Sequence, residues 1–322
     1  MSIKNIAGKR VVVTGGAGFI GSHTCELLLE QGAEVLALDN LATGHLANLD
    51  HLKSVVSLRF EELDVATGNA LANAVESFKP EAIIHLAALV SVQESIVNPE
   101  LNFERNVTAT QRVIEAARTN NVSRLVFASS AAIFGDNTEL PLNESSDKRP
   151  LSPYGAAKLA SEYLLMGAAY SYNLTVTANR YFNVYGPRQD PKSPYSGVMS
   201  IFLDRFRAGK GVTVYGDGQQ TRDFIFVKDV ARMNVLGAAS AQAGFQPFNV
   251  CTGRSTSLLD LIAEFRKYFP DAPETAFAES RKGDIIHSLG DPSAARNAMG
   301  FDATTTLSEG LKQYLDGEGV AV

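Results

Sequence analysis

Residues 10–21 read Arg10-Val11-Val12-Val13-Thr14-Gly15-Gly16-Ala17-Gly18-Phe19-Ile20-Gly21, and this stretch decides the fold. Three consecutive valines are stiff at χ1 and suit a buried strand. Gly16, Gly18 and Gly21 fit G-x-G-x-x-G. Cys25, Leu28 and Leu29 then recur at helical spacing until Gly32. A second apolar stretch, residues 33–38, ends at Asp39, eighteen positions past Gly21. The glycine spacing is weak evidence by itself; a strand before it, a helix after it and an acid at the next strand tip make a dinucleotide site. The glycines let the backbone approach a pyrophosphate, whose charge the helix N-terminus receives. Asp39 is placed to bond the adenosine ribose hydroxyls and to repel a 2′-phosphate, which favours NAD over NADP. Asp64 and Val65, past a third strand, are placed to meet the adenine ring.

The alternation continues outward. Short apolar strands are predicted at 58–60, 82–86, 124–128 and 174–178, with helices at 70–78, 99–118 and 154–170 between them. Strands alternating with helices imply right-handed crossovers and a parallel sheet covered on both faces, a Rossmann-type α/β fold. Beyond Arg180 the regularity fades, and Pro187, Pro191 and Pro194 fall close together. We expect an NAD-binding domain over residues 1–180 and a smaller α/β substrate domain over 181–322, with segments near 223–250 returning to the first. Helices are predicted at 197–208, 229–239, 258–268 and 307–315, and strands near 212–215 and 248–250.

Composition narrows the function classes. The chain has 322 residues, 45% hydrophobic and 20% charged, an ordinary globular balance. A net charge of -6 gives no basic footprint for nucleic acid. Residues 1–9 lack the apolar core of a secretory signal, and the apolar run 82–92, interrupted by His85, is too short to span a bilayer. Cys25 and Cys251 suggest no disulfide framework, and the five histidines show no metal-ligand spacing. The expectation is a cytoplasmic protein with no metal and no membrane or nucleic-acid partner.

Ser152-Pro153 reads as a helix start. Tyr154 and Lys158, at i and i+4, share one face of that helix. A phenolate near pH 7 needs roughly 4 kcal/mol, about three pKa units at ~1.4 each. A unit charge ~4 Å away at an effective dielectric of about 20 supplies roughly that much. The helix N-terminus adds a smaller favourable contribution.

Gly15-Gly-Ala-Gly-Phe-Ile-Gly21, His85-Leu-Ala-Ala88, Ser129-Ser-Ala-Ala-Ile-Phe-Gly135, Ser152-Pro-Tyr-Gly-Ala-Ala-Lys158 and Arg180-Tyr-Phe-Asn-Val-Tyr-Gly-Pro-Arg188 occur in that order. Tyr215-Gly-Asp-Gly-Gln-Gln-Thr-Arg-Asp223 and Arg281-Lys-Gly-Asp284 complete the set. With these motifs the chain resembles the extended short-chain dehydrogenases/reductases, and within them the UDP-hexose 4-epimerases. The resemblance covers nearly the whole chain. It implies Ser130 on the sugar C4 oxygen and Tyr154 as general base. Lys158 would hold the nicotinamide ribose and lower the Tyr154 pKa, with Tyr181 packed by the nicotinamide. Further cofactor contacts are implied at Gly15, Gly18, Phe19, Ile20 and Gly21, and at Asn40, Ala87, Ala88 and Asn106. Asn183, Tyr215, Arg222 and Arg281 would face the UDP moiety, the arginines as planar forks for phosphate.

Sister enzymes of the resemblance, dehydratases and decarboxylases, carry an acid after the catalytic Ser or Thr. Ala131 and Ala132 stand here instead and cannot move a proton, which favours simple epimerisation. Two departures concern the substrate. A lysine that often contacts the cofactor pyrophosphate corresponds to Val90. A bulky tyrosine found in some epimerases restricted to non-acetylated sugars corresponds to Ser288, leaving room for a 2-acetamido group, so that UDP-GlcNAc and UDP-GalNAc are expected beside UDP-Glc and UDP-Gal. The alternatives are another NAD-dependent nucleotide-sugar enzyme (a dehydratase, decarboxylase or reductase) and a non-catalytic NAD sensor. Residues 99–118 and 154–170 resemble the helix pair through which the family dimerises, with Ala156, Ala157 and Ala160 permitting close packing. A homodimer through a four-helix bundle is therefore expected.

Overall fold

The computed structural model describes residues 2–189, 197–280 and 285–320. Its centre is a seven-stranded, all-parallel sheet in the order β11-β6-β5-β4-β1-β2-β3. These strands are β1 (Arg10–Thr14), β2 (Glu34–Asp39), β3 (Leu58–Glu62), β4 (Ala82–His85), β5 (Arg124–Ser130), β6 (Thr175–Tyr181) and β11 (Gly244–Val250). Between them run α1 (Phe19–Glu30), α2 (Ala70–Phe78), α3 (Val92–Val97), α4 (Pro99–Phe103), α5 (Ala109–Thr119), α6 (Pro153–Tyr172) and α8 (Val227–Ala239). This is the Rossmann-type architecture that the strand–glycine–helix pattern predicted.

The three valines show how the pattern works. Successive residues of a strand face opposite sides. Val12 packs with Leu36, Ile83, Leu125 and Val176 against α2, α5 and α6. Val11 and Val13 pack with Val35 and Ile84 against Cys25 and Leu28 of α1 and Val235 and Ala238 of α8. The sheet is thus covered on both faces, and α8 and β11 belong to this layer although they follow residue 181 in the chain.

Further helices and short strands follow. The helices are α7 (Val198–Arg207), α9 (Leu258–Arg266) and α11 (Leu307–Gly317), while α10 (Ser293–Met299) packs through Ala295 and Met299 against α8 and β11. The strands are β7 (Asn183–Tyr185) beside β10 (Phe224–Phe226), β8 (Thr213–Tyr215) beside β13 (Ala276–Ala278), and β9 (Thr221–Arg222) beside β12 (Thr256–Ser257). Phe202, Phe206, Phe265, Leu311 and Tyr314 pack in one core cluster. Ser257 caps α9 and Thr306 caps α11, each in a reciprocal capping box.

One predicted helix is broken. Residues 99–118 read as a single helix, but a π-helical turn, Glu104–Thr108, separates α4 from α5. The wider turn frees the Asn106 carbonyl to accept from Thr110 Oγ1 at 2.6 Å and Ser161 Oγ at 3.2 Å.

Candidate active site

The carboxyl ends of β1, β4 and β5 open onto one cleft of about 1460 Å³. It sits where strand order reverses between β1 and β4, the crevice in which open α/β sheets bind ligands. Single ligand pockets run to ~1000 Å³, so there is room for two bound molecules.

The turn from β1 to α1 forms one wall. Gly15 adopts φ +70, and a Cβ there would meet the Ala87 nitrogen at 2.8 Å. A Cβ on Gly21 would sit 1.9 Å from the Gly15 carbonyl oxygen, so α1 can leave the turn this tightly only from glycine. Gly18 caps α1 with no side-chain bond, leaving the first-turn N–H groups directed to the cleft for an anion. Asp39, 7% exposed, accepts from Ala17 N at 3.0 Å and Leu41 N at 2.8 Å. Burial pushes its carboxyl up, against these N–H bonds. Asp64 Oδ2 accepts from Asn40 and Arg105, and Oδ1 from Ala66 N at 2.9 Å. Burial raises the Asp64 carboxyl, but these partners outweigh it and hold it below its ordinary value. Phe19, Ile20, Val65, Ala87 and Ala88 complete this wall. The glycine cradle, uncapped helix and paired carboxylate fit NAD.

The end of β5 and the start of α6 form the second wall. Ser152 caps α6 by accepting from Gly155 N, with Pro153 in the first turn. This presents Tyr154 to the cleft beside Ser130, whose hydroxyl favours the ionised phenol. Ser130 Oγ also accepts from Ala132 N at 3.1 Å. Lys158 is 3% exposed and donates to the Ala128 carbonyl at 2.8 Å. Its Nζ lies 4.9 Å from the Phe127 ring centre and 5.9 Å from that of Tyr154. Burial pushes the Lys158 ammonium down to about 7 and the Tyr154 phenol up, the Ser130 hydroxyl opposing the latter. The sequence led us to expect a phenol lowered by Lys158. The direction here is upward because water is lost from both groups while the ammonium is aimed at a carbonyl. Tyr181 lines the cleft too and donates to Asn234 Oδ1 at 2.6 Å.

Behind the wall lies a network the sequence did not announce. His85 Nδ1 lies 2.8 Å from Thr14 Oγ1 and Nε2 3.3 Å from Thr110 Oγ1. The Thr110 hydroxyl donates to the Asn106 carbonyl and Thr14 accepts from two N–H groups. Thr110 therefore accepts from His85 Nε2–H, and Thr14 donates to Nδ1. Burial, then Lys158, pushes His85 down to about 3, so it stays neutral. Asn106, expected among the cofactor contacts, lies outside the cleft lining. It is buried behind the cleft wall, and its amide donates to the Leu89 carbonyl at 3.0 Å and Asn102 Oδ1 at 2.7 Å. It shapes the wall through Leu89, which lines the cleft.

Residues after β6 supply the far wall, with Asn183, Arg222, His287 and Ser288. Tyr215 lies on β8, outside the described lining. Arg281 lies outside the described residues. Asp223, beside Arg222, is fully buried and accepts from Thr252 N, Thr252 Oγ1, Gly253 N and Gly290 N. It joins the segments that carry Arg222 and Ser288. Among the described residues no helix is long and apolar enough to cross a membrane, and no group of three metal-binding side chains occurs.

A glycine cradle, a strand-end acid and a Ser–Tyr–Lys set at one sheet edge fit a nicotinamide-dependent enzyme of the Rossmann type. The chain belongs to the NAD dependent epimerase/dehydratase family, whose model matches residues 11–251. NAD is its cofactor. It is 37% identical to a UDP-glucose 4-epimerase of Mycolicibacterium smegmatis over 95% of this chain and 97% of that protein. Among solved structures, a UDP-N-acetylglucosamine 4-epimerase from Methanobrevibacter ruminantium, in complex with UDP-N-acetylmuramic acid, is similar at TM-score 0.89 and 35% identity, covering 96% of this chain and 99% of that one. A Thermus thermophilus UDP-glucose 4-epimerase in complex with NAD gives TM-score 0.86 and 37% identity, covering 97% and 100%.

Proposed function

We propose that this protein inverts C4 of a UDP-hexose through a transient 4-keto sugar. The observation that carries this is that Tyr154 and Ser130 face the same cleft, where the two positions after Ser130 are the alanines Ala131 and Ala132, which cannot move a proton. Ser130 bonds the C4 oxygen and Tyr154 takes its proton, then gives it back. Lys158 holds the ribose side and steadies the phenolate. Bound NAD supplies the acceptor, and afterwards the donor, of the C4 hydride. Between the two transfers the keto sugar must turn, for which the cleft has volume. Asn183 and Arg222 face the UDP portion, with Arg281 assigned to the same task by its motif.

The small Ser288 side chain in the lining supports acceptance of 2-acetamido sugars. Val90, in the lining and 57% exposed, leaves cofactor retention to the glycine turn. Product analysis across UDP-Glc, UDP-Gal, UDP-GlcNAc and UDP-GalNAc tests the reading. Each pair should interconvert, and dehydrated or decarboxylated products would sink it. Ser288→Tyr should abolish turnover of the acetylated pair and spare the other; equal loss of both removes the gate role.

We further propose a homodimer through the α4–α5 and α6 faces. Phe103, Tyr163 and Tyr170 are 58%, 59% and 75% exposed there, more apolar surface than scattered singles. Ala156 and Ala160 remain on or near that surface, whereas Ala157 is buried in its own core. A monomeric mass in light scattering would exclude the dimer. A cytoplasmic location is part of the same proposal.

A further inference from the structure

Ser129, Glu162 and Arg180 form a buried polar knot beneath the reacting pair, 2%, 2% and 3% exposed. Ser129 lines the cleft, and Glu162 and Arg180 lie outside its lining. Glu162 lies at i+4 from Lys158 and i+8 from Tyr154 on α6, so the three side chains share a helix face. Its Oε1 accepts from Ser129 Oγ at 2.5 Å and Arg180 Nε at 3.0 Å, and its Oε2 accepts from Arg180 Nη2 at 2.8 Å. Across the sheet, Arg180 is the register partner of Ser129, as Tyr181 is of Ser130. Arg180 Nη1 donates to the Glu144 carbonyl at 2.9 Å, and the guanidinium lies 5.4 Å from the Phe134 ring centre.

A buried ion pair is weak evidence for stability, because desolvation offsets its attraction. Its geometry is more informative. Ser130 ends β5 and Tyr154 begins α6, so the distance between them depends on how strand and helix are joined. The residues just before Ser130 make the joins: the Ala128 carbonyl to Lys158, and the Ser129 hydroxyl to Glu162. Arg180 holds Glu162 from two directions, so the carboxylate cannot swing away. We propose that Glu162 is a positioning residue, which through Ser129 sets Ser130 against Tyr154. The inference rests on the reading of those two groups as the reacting pair of an epimerase.

Ser129→Ala removes the link and leaves the ion pair intact. A misplacement of ~1 Å costs roughly 10²-fold in rate. The variant should therefore lose at least about tenfold in kcat, with KM for the UDP-sugar within about twofold and NAD content and Tm near wild type. Glu162→Gln, which keeps the shape but not the charge, should lose more; if it does not fold, Ser129→Ala decides alone. Wild-type kcat in Ser129→Ala overturns the inference, as does a loss that merely follows NAD content or Tm. An active wild type with an unimpaired Ser129→Ala enzyme fails this inference alone. A wild type inert toward every UDP-hexose fails the epimerase reading and this inference with it.

Discussion

Replacing Lys158 by Met keeps the apolar stem and removes the charge. Burial pushes the Tyr154 phenol up and the Lys158 ammonium down to about 7, so each ion alone is disfavoured. Ionised together they attract. With Nζ 5.9 Å from the Tyr154 ring centre, an effective dielectric of ~20 gives about 3 kcal/mol. That equals roughly two pKa units, or ~100-fold in phenolate population. The base is active when deprotonated, so rate rises with pH through its pKa. The pair titrates as a unit in the wild type and at the higher, lone-phenol value in Lys158→Met. Below both values the variant should turn over ~100-fold more slowly. Above the wild-type value, up to pH 10, the gap narrows without closing, because burial keeps the lone phenol of the variant protonated. The assay is kcat on NAD-loaded enzyme from pH 6 to 10. A ratio constant across that range would show that Lys158 acts only through the ribose, and an undiminished kcat at neutral pH would refute its role altogether.

Gly21→Ala sets a methyl 1.9 Å from the Gly15 carbonyl and should yield protein without NAD, read as the cofactor released on denaturation. Asp39→Asn removes the charge that repels a 2′-phosphate, so NADP should gain on NAD by about tenfold or more in a binding titration; unchanged selectivity would displace Asp39 from the ribose. Asp223→Ala leaves several buried donors unsatisfied, each costing about 1–3 kcal/mol. Its Tm should fall and its UDP affinity weaken with Arg222 and Ser288 loosened, while NAD stays bound.

Much of the cofactor half was legible because its constraints are local. A valine run, glycines and a strand-end acid each require their neighbours, and the structure brings Gly15, Gly18, Gly21, Asp39, Asn40 and Asp64 to one wall. Ser130, Tyr154 and Lys158 likewise share the next wall, since helix periodicity carries two of them. Long-range features were not legible. Ser129 and Glu162 are 33 residues apart and Thr14 and His85 71, and no periodicity connects such pairs. The π turn at Asn106, whose carbonyl accepts from Thr110 and Ser161, was likewise not legible, since a helical pattern carries no sign of it. A return of segments near 223–250 was expected from the sequence, but the place of β11 beside β6 needed the full topology.

The central claim is that one hydride leaves C4 and returns to it. Turnover of a UDP-hexose carrying deuterium at C4, followed by mass and proton spectra of both epimers, tests this directly. The account predicts deuterium retained at C4 in both epimers, with unchanged mass and no accumulation of free reduced cofactor. Deuterium lost to solvent, or a product lighter by water or carbon dioxide, would contradict it.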